Sequence, residues 1–475
     1  MAHTRRDFLR TAACALGGAA LASTVESFGL MDAYAQSAGD YKALVCVFLN
    51  GGNDGNNMVV PLDQTGFGQY NGVRGASGLA VAQASLLPVA PPSQGRPFGF
   101  HPNMPEVQSL FNQGRLAVVC NAGPLVEPLT RATYLNGSGR KPLQLFSHSD
   151  QVNLWQTSLA NSVSQTGWGG RIADRMAALN NPSTFSHSIS IAGVSTFLTG
   201  SSARQLAIAD ANTALANLLP VAMTGTPGEI PSRRAAFDQL RATDLSNRLV
   251  KAASDIRSSA LQTSQQLSQV TPRNFSTAFP LTGIARQLLQ VGRVIAERGR
   301  FGMKRQIFFV QAGGYDTHSN QRGAGTGTQD SLLLQLSQAL GAFYNLLQND
   351  LSNPANGNYL GSDVTKEVTV FTLSDFGRTL QPAGSGAVVG SDHGWGNHHL
   401  VLGGAVRGGD FYGTFPTLAL GGPDDTDTRG RWIPTTSVEQ YAATLASWYG
   451  LSASDFPAVF PLINRFPNTN LGFMT

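Results

Sequence analysis

Cysteine is scarce in this chain, three in 475 residues, too few for a disulfide framework. Cys14 stands in a leader-like segment, while Cys46 and Cys120 stand in apolar, strand-like runs. They read either as buried free thiols or, in an oxidising compartment, as one disulfide. Charge is scarce too. Charged residues make up 13% of the chain against 42% hydrophobic, about half the usual ~25% charged, which excludes intrinsic disorder. The formal net charge is only +4, with no long Lys/Arg run, so the electrostatic footprint of a nucleic-acid binder is missing. A G-x-S-x-G elbow is absent, which argues against a serine α/β-hydrolase. No Walker A motif stands anywhere and no G-x-G-x-x-G follows a strand, so nucleotide and dinucleotide sites lack their phosphate cradles. No window reaches the ~18 apolar residues of a membrane-spanning helix. Glycine, by contrast, is plentiful at 53 residues, but it lies in short loops without a Gly-X-Y period, which excludes collagen.

The N-terminus reads as an address. Thr4-Arg5-Arg6-Asp7-Phe8-Leu9-Arg10 precedes a mildly apolar stretch, Ala12 to Thr24, and then Ala33-Tyr34-Ala35. A twin arginine, a short apolar region and an A-x-A site make a twin-arginine export signal. The expectation is a signal peptide over residues 1–35, handled by the Tat translocase, and a periplasmic or secreted mature chain with no transmembrane span.

Residues 36–475 alternate strand-like and helix-like segments. Lys42 to Leu49, Leu116 to Cys120, His187 to Ala192, Gln306 to Gln311, Val368 to Leu373 and Leu400 to Leu402 are apolar, β-prone runs. Met104 to Gln113, Leu281 to Arg300 and Asp330 to Leu347 have helical spacing. Continuous apolar strands alternating with helices predict a single α/β domain with a mainly parallel central sheet flanked by helices. The stretch 201–300 shows no clear strand and is expected to be a helical insertion.

Acidic and imidazole groups gather just after the strands. Asp54 follows the first; Asp316 and His318 follow Gln306 to Gln311; Asp375 and Arg378 follow Val368 to Leu373. Asp392, His393, His398 and His399 come soon after. Of eight histidines in the chain, four fall in two of these loops. In open α/β sheets ligands bind outside the carboxyl ends of strands, so these loops should meet. Carboxylates with imidazoles suit Zn, Mn or Fe. One or two divalent ions, Zn or Mn first, would serve phosphoryl or sulfuryl ester hydrolysis, with Arg378 clamping the anion. Each residue also has a plain structural reading: Asp54 as a turn or cap residue, Asp375 as a helix cap, and one of His398 and His399 facing away, since neighbours in a strand alternate. Phe146-Ser147-His148-Ser149-Asp150-Gln151 puts a hydroxyl, an imidazole and a carboxylate close together. It reads either as an active-site rim or as a capped helix start.

Taken together, Leu49-Asn50-Gly51-Gly52-Asn53-Asp54-Gly55, Phe146 to Gln151, Gly167-Trp168-Gly169-Gly170-Arg171, Gly313 to His318, Ser374 to Thr379 and Ser391 to Gly396 resemble the exported bacterial family catalogued as domain of unknown function 1501. The chain also looks like a distant branch of the alkaline phosphatase and sulfatase superfamily, the segment from His101 through Gly114 being similar to a sulfatase-like hydrolase. The resemblance implies an alkaline phosphatase-like fold. It implies metal ligands at Asp54, at Asp316 and His318, at Asp375, and at His393 or His398, with the pair Asp392-His393 later than is usual. The sulfatase C/S-x-P-x-R motif is missing, so formylglycine chemistry is not implied, and the nucleophile falls to Ser147 or Thr130. The reading is an exported metal-dependent hydrolase acting on a small-molecule or glycan ester of phosphate or sulfate. Its alternative is a non-catalytic periplasmic or envelope binding protein that keeps the fold.

Overall fold

A computed structural model describes residues 41–219, 228–384 and 388–475. The leader, with Arg5, Arg6 and Ala33 to Ala35, lies outside the described residues. Lys42–Leu49 (β1), Leu116–Gly123 (β5), Ser188–Ser190 (β6), Leu206–Ala207 (β7), Arg305–Ala312 (β8), Val368–Ser374 (β9), Asn397–Leu402 (β12), Phe411–Tyr412 (β13) and Thr436–Ser437 (β14) build one sheet. Its order is β13-β5-β12-β9-β1-β8-β6-β7, with β14 also on β5. All pairings are parallel except those of β12, which runs against β5 and β9. Val59–Pro61 (β2), Leu87–Val89 (β3) and Phe98–Phe100 (β4) form a small antiparallel sheet, and Arg378–Ala383 (β10) with Gly390–His393 (β11) a hairpin. The expected α/β architecture with a mainly parallel sheet is what forms.

The strands read as unbroken apolar runs because both faces of the sheet are covered. Along β1, Ala43, Val45, Val47 and Leu49 enter one core, while Leu44, Cys46 and Phe48 enter the other. The principal helices are Gln64–Arg74 (α1), Pro105–Asn112 (α2), His148–Thr157 (α3), Trp168–Met176 (α4), Glu229–Ala242 (α5), Arg248–Ser268 (α6), Gly283–Ala296 (α7), Gln329–Asn345 (α8) and Val438–Tyr449 (α9). Helices α2, α7 and α8 cover the first face, and α4 and α9 the second. Cys120 belongs to the first core and Cys46 to the second. Both are free, and the sheet between them rules out the disulfide alternative.

The expected helical insertion is smaller than 201–300. Leu206–Ala207 is the edge strand of the main sheet, and α7 is a covering helix with nine buried residues. Among the described residues of that stretch, α5 and α6 leave the body: α5 buries none of its residues, and α6 buries Leu261, Thr263 and Leu267 near its C-terminal end.

Register sets the site. Leu49 pairs with Ala312 on one side and with Ser374 on the other, so β1, β8 and β9 end flush and their loops share one edge. The edge is crowded. Gly51 has φ +117°, and a Cβ there would stand 2.4 Å from the Asp316 backbone nitrogen, so only glycine fits. Beneath the loops, Asp54 caps the turn Gly55–Met58 and is ion-paired at 2.6 Å with Arg74, both fully buried. The remaining Arg74 donors reach Asn57 and the carbonyls of Thr379 and Leu380. Gln321 donates a further hydrogen bond to Asp54 at 2.6 Å.

Arg74→Met should therefore strand a buried carboxylate. Breaking a buried pair from one side costs about 3–5 kcal/mol, so the urea midpoint of the variant should fall accordingly. A loss below about 1 kcal/mol would mean that water reaches Asp54 and the pair is not dry.

Candidate metal centre

One loop, one helix start and one strand end meet at the flush edge. The loop after β8 supplies Asp316 and His318, the first residue of α3 supplies His148, and the last residue of β11 supplies His393. One donor atom from each lies within 4.8 Å of every other. Gly390 lets β11 approach, since a Cβ there would stand 2.3 Å from the His318 carbonyl carbon.

The orientation of the rings is as telling as their proximity. His148 Nδ1 lies 2.8 Å from Asp375 Oδ2, His318 Nδ1 lies 3.1 Å from Asp392 Oδ1, and His393 Nδ1 lies 2.7 Å from the Phe146 carbonyl oxygen. An acceptor stands behind each of the three Nδ1 atoms; with the ring protons held there, all three Nε2 lone pairs would turn inward. Those Nε2 atoms lie 3.4, 3.0 and 3.6 Å from the same atom, Asp316 Oδ1. The Nε2 atoms of His318 and His393 face each other at 2.9 Å, and His148 Nε2 is buried without a hydrogen-bond partner. Lone pairs that face one another repel, and a cation among them removes the conflict. The donor set fits a divalent metal of the Zn or Mn kind, each imidazole being braced from behind as metal-binding histidines usually are.

Electrostatics agree. Burial pulls the Asp316 carboxyl upward, but the hydrogen bond and charge of Arg378 act against it, and the group is held below the usual carboxylate range. Asp392 is likewise displaced downward, burial being outweighed by Arg429 and His318. Burial raises Asp375 against its bonds from His148 and the Gly51 amide. Burial lowers His393, which keeps its ring neutral. The site opens to solvent on the Asp316 and His318 side, where the two side chains are 46% and 45% exposed.

Several expected residues have other work. Asp54 stands apart, its oxygens taken by Arg74, Gln321 and the Asn56 amide. Asp375 and Asp392 bind histidine Nδ1 atoms instead of facing the centre. Arg378 is no anion clamp: its buried guanidinium is spent on Asp316 at 2.8 Å and on the carbonyls of Gly51 and Ser391. His398 is buried away from the cluster, stacked on Phe415, its Nδ1 accepting from the Asn121 amide. His399 faces the opposite way, against Trp155 and Tyr441, as strand alternation requires. Ser147 donates its hydroxyl to Asp150 at 2.6 Å. Among the described residues the donors gather around one point, room for one ion in place of the expected one or two. In the sequence His148 reads only as part of a local Ser-His-Asp run; the signal for a site residue is that it is one of only eight histidines in the chain.

A family model described as "Protein of unknown function (DUF1501)" matches residues 41–427. No curated protein matches. A protein in the alkaline phosphatase superfamily from Vibrio parahaemolyticus aligns at 13% identity and a TM-score of 0.35, over 87% of this chain and 68% of that one. The PsFucS1 sulfatase from Pseudoalteromonas sp. aligns at 9% identity and a TM-score of 0.31, over 95% of this chain and 74% of that one. At such TM-scores the chemistry has to be read from this chain's own residues. No helix among the described residues is long and apolar enough to cross a membrane.

His398 and His399 give a pH prediction. Burial pushes both down to about 3, below the unfolded value of about 6.5. The unfolded chain therefore takes up protons that the folded chain refuses. Stability is intact above about pH 6.5 and is lost as pH falls toward 3, by about 1.4 kcal/mol per pH unit for each ring. Denaturant midpoints from pH 7 to 4.5 should show this slope, and His399→Phe should remove about half of these two rings' share of it. An unchanged slope in the variant would mean that the ring is protonated in place.

Proposed function

The chain belongs to the DUF1501 family, whose description assigns no function, and we propose that it is an exported, metal-dependent hydrolase of phosphate or sulfate esters. The observation that carries the reading is the convergence of three imidazole Nε2 atoms on one oxygen of Asp316 while every Nδ1 is held from behind. His148, His318, His393 and Asp316 would hold one divalent ion, Zn or Mn. Bound there, the ion would supply Lewis-acid polarisation of an ester oxygen.

The chain's own residues do the remaining work. Asp375, Asp392 and the Phe146 carbonyl keep the ring protons at Nδ1, so each imidazole offers its lone pair. Arg378 keeps Asp316 ionised and aimed. Arg429 balances Asp392 and, at 36% exposed, keeps guanidinium donors on the solvent side of His318, which suits an anionic small-molecule or glycan ester. Ser147 is the candidate nucleophile. Its hydroxyl donates to Asp150, which would take the proton as the oxygen bonds to phosphorus or sulfur and the bond to the ester's alcohol oxygen breaks, that alcohol leaving with a proton from water. Export rests on the twin-arginine leader, with the Tat translocase as a transient partner and the periplasm or the exterior as destination.

A second reading, a non-catalytic envelope binding protein, is favoured by one observation: Arg378, expected to grip the anion, is consumed by protein groups.

Elemental mass spectrometry on the mature protein should find about one equivalent of divalent metal, lost in Asp316→Ala and His148→Ala while the fold persists. The wild type should hydrolyse an aryl phosphate or aryl sulfate, and Asp316→Ala should lose about 10²-fold or more. Ser147→Ala distinguishes attack by that side chain from attack by water. Metal without turnover of either ester would favour the binding protein. Folded wild type that takes up no Zn or Mn would overturn the centre itself.

A further inference from the structure

His393 is held differently from its two neighbours. His148 and His318 lean on carboxylates, whereas His393 leans on a main-chain carbonyl, that of Phe146, at 2.7 Å. A carboxyl group can exchange roles with an imidazole, donating when protonated and accepting when not. A backbone carbonyl only accepts, so it admits one tautomer of the ring, with the proton at Nδ1.

The residue that supplies this carbonyl is in an unusual conformation. Phe146 has φ +71°, the left-handed region that a bulky side chain rarely adopts. Such a conformation persists only where the surroundings over-determine it. Here one residue grips both partners. The Arg431 guanidinium lies 4.4 Å over the Phe146 ring, and Arg431 Nε donates to the His393 carbonyl at 2.9 Å. Arg431 is itself tied by Asp427 through its side chain and by Asp425 through its amide. The Ser147 amide closes the turn on the Gln144 carbonyl. A triangle of Arg431, Phe146 and His393 therefore joins the loop before α3 to the last residue of β11.

We propose that Phe146 and Arg431 are positioning residues of the candidate centre. The left-handed backbone of Phe146 aims its carbonyl at His393 Nδ1, and Arg431 offsets the strain by gripping the Phe146 ring. The consequence for the centre rests on the metal reading above; the tautomer of His393 does not.

Two measurements test it. Nitrogen-15 NMR of the metal-free wild-type protein should show His393 protonated at Nδ1. An Nε2-protonated His393 overturns the proposal whatever the variants do. Cobalt(II) titration followed by visible absorption then reads affinity. Phe146→Pro, with φ fixed near −65°, should weaken cobalt binding about ten- to a hundredfold, the usual effect of losing a partner behind a ligand. Phe146→Gly adopts the left-handed backbone without strain and should stay within about threefold of wild type, far from the loss expected when a supporting partner goes. Arg431→Met should weaken binding, and adding Phe146→Gly to it should recover most of the loss, since glycine needs no grip. Unchanged affinity in folded Phe146→Pro, or a glycine variant as weak as the proline variant, overturns the assignment. Wild type that binds no cobalt sinks the metal reading instead and leaves the tautomer measurement to decide the clamp.

Discussion

The buried carboxylate of Asp54 is the fixed point on which the loop edge depends. It sits directly after β1, dry, with Arg74 and Gln321 on its oxygens. Arg74 carries the tie to β10 through the Thr379 and Leu380 carbonyls. Gln321 carries it to β11, its amide oxygen accepting from the Ser391 hydroxyl at 2.6 Å, and so to the loop that bears Asp316 and His318. A charge in this position is tolerable only because each of its lone pairs is used. Its return is geometric: the loops after β1 and β8 and the hairpin β10-β11 are pinned to one buried group and stop moving independently. The ligand-bearing side chains above can then be partly exposed and still converge.

The same economy explains why the arginines near the centre face inward. Arg378 and Arg429 each pair with an aspartate that touches a histidine. The charges of Asp316 and Asp392 are thereby balanced by the protein, and the inward-facing lone pairs stay the unbalanced feature of the edge.

The long strands of the sheet were legible in the sequence because they are buried on both sides, which leaves few polar residues to break the runs. Lys42 to Leu49 is a strand with the expected bounds, whereas β12 begins at Asn397, three residues before the expected Leu400, and runs antiparallel, which no single strand's pattern encodes. The strand at Leu206–Ala207 is two residues long and carries no period at all. Within the site, Asp316, His318 and His393 were visible as chemistry-bearing residues in glycine-rich loops. Asp54 looked the same from sequence. What separates it is an arginine twenty positions on, at the end of α1, and that packing is invisible in a helix whose other residues are mostly polar. His148 was hidden for the opposite reason. It sits far from Asp316, His318 and His393 in the chain, beside a serine and an aspartate that suggest a local motif, and only the tertiary fold turns its ring toward Asp316.

The placement of Cys46 and Cys120 on opposite faces of the sheet has a consequence of its own. Neither thiol can reach the other, and burial pushes both well above the usual thiol range, so neither offers a thiolate to an oxidant. The described fold holds no covalent cross-link whose formation would depend on where it is made. The described fold is redox-indifferent: the same packing is available in a thiol-rich interior and in an oxidising exterior, and passage from one to the other asks nothing of Cys46 or Cys120.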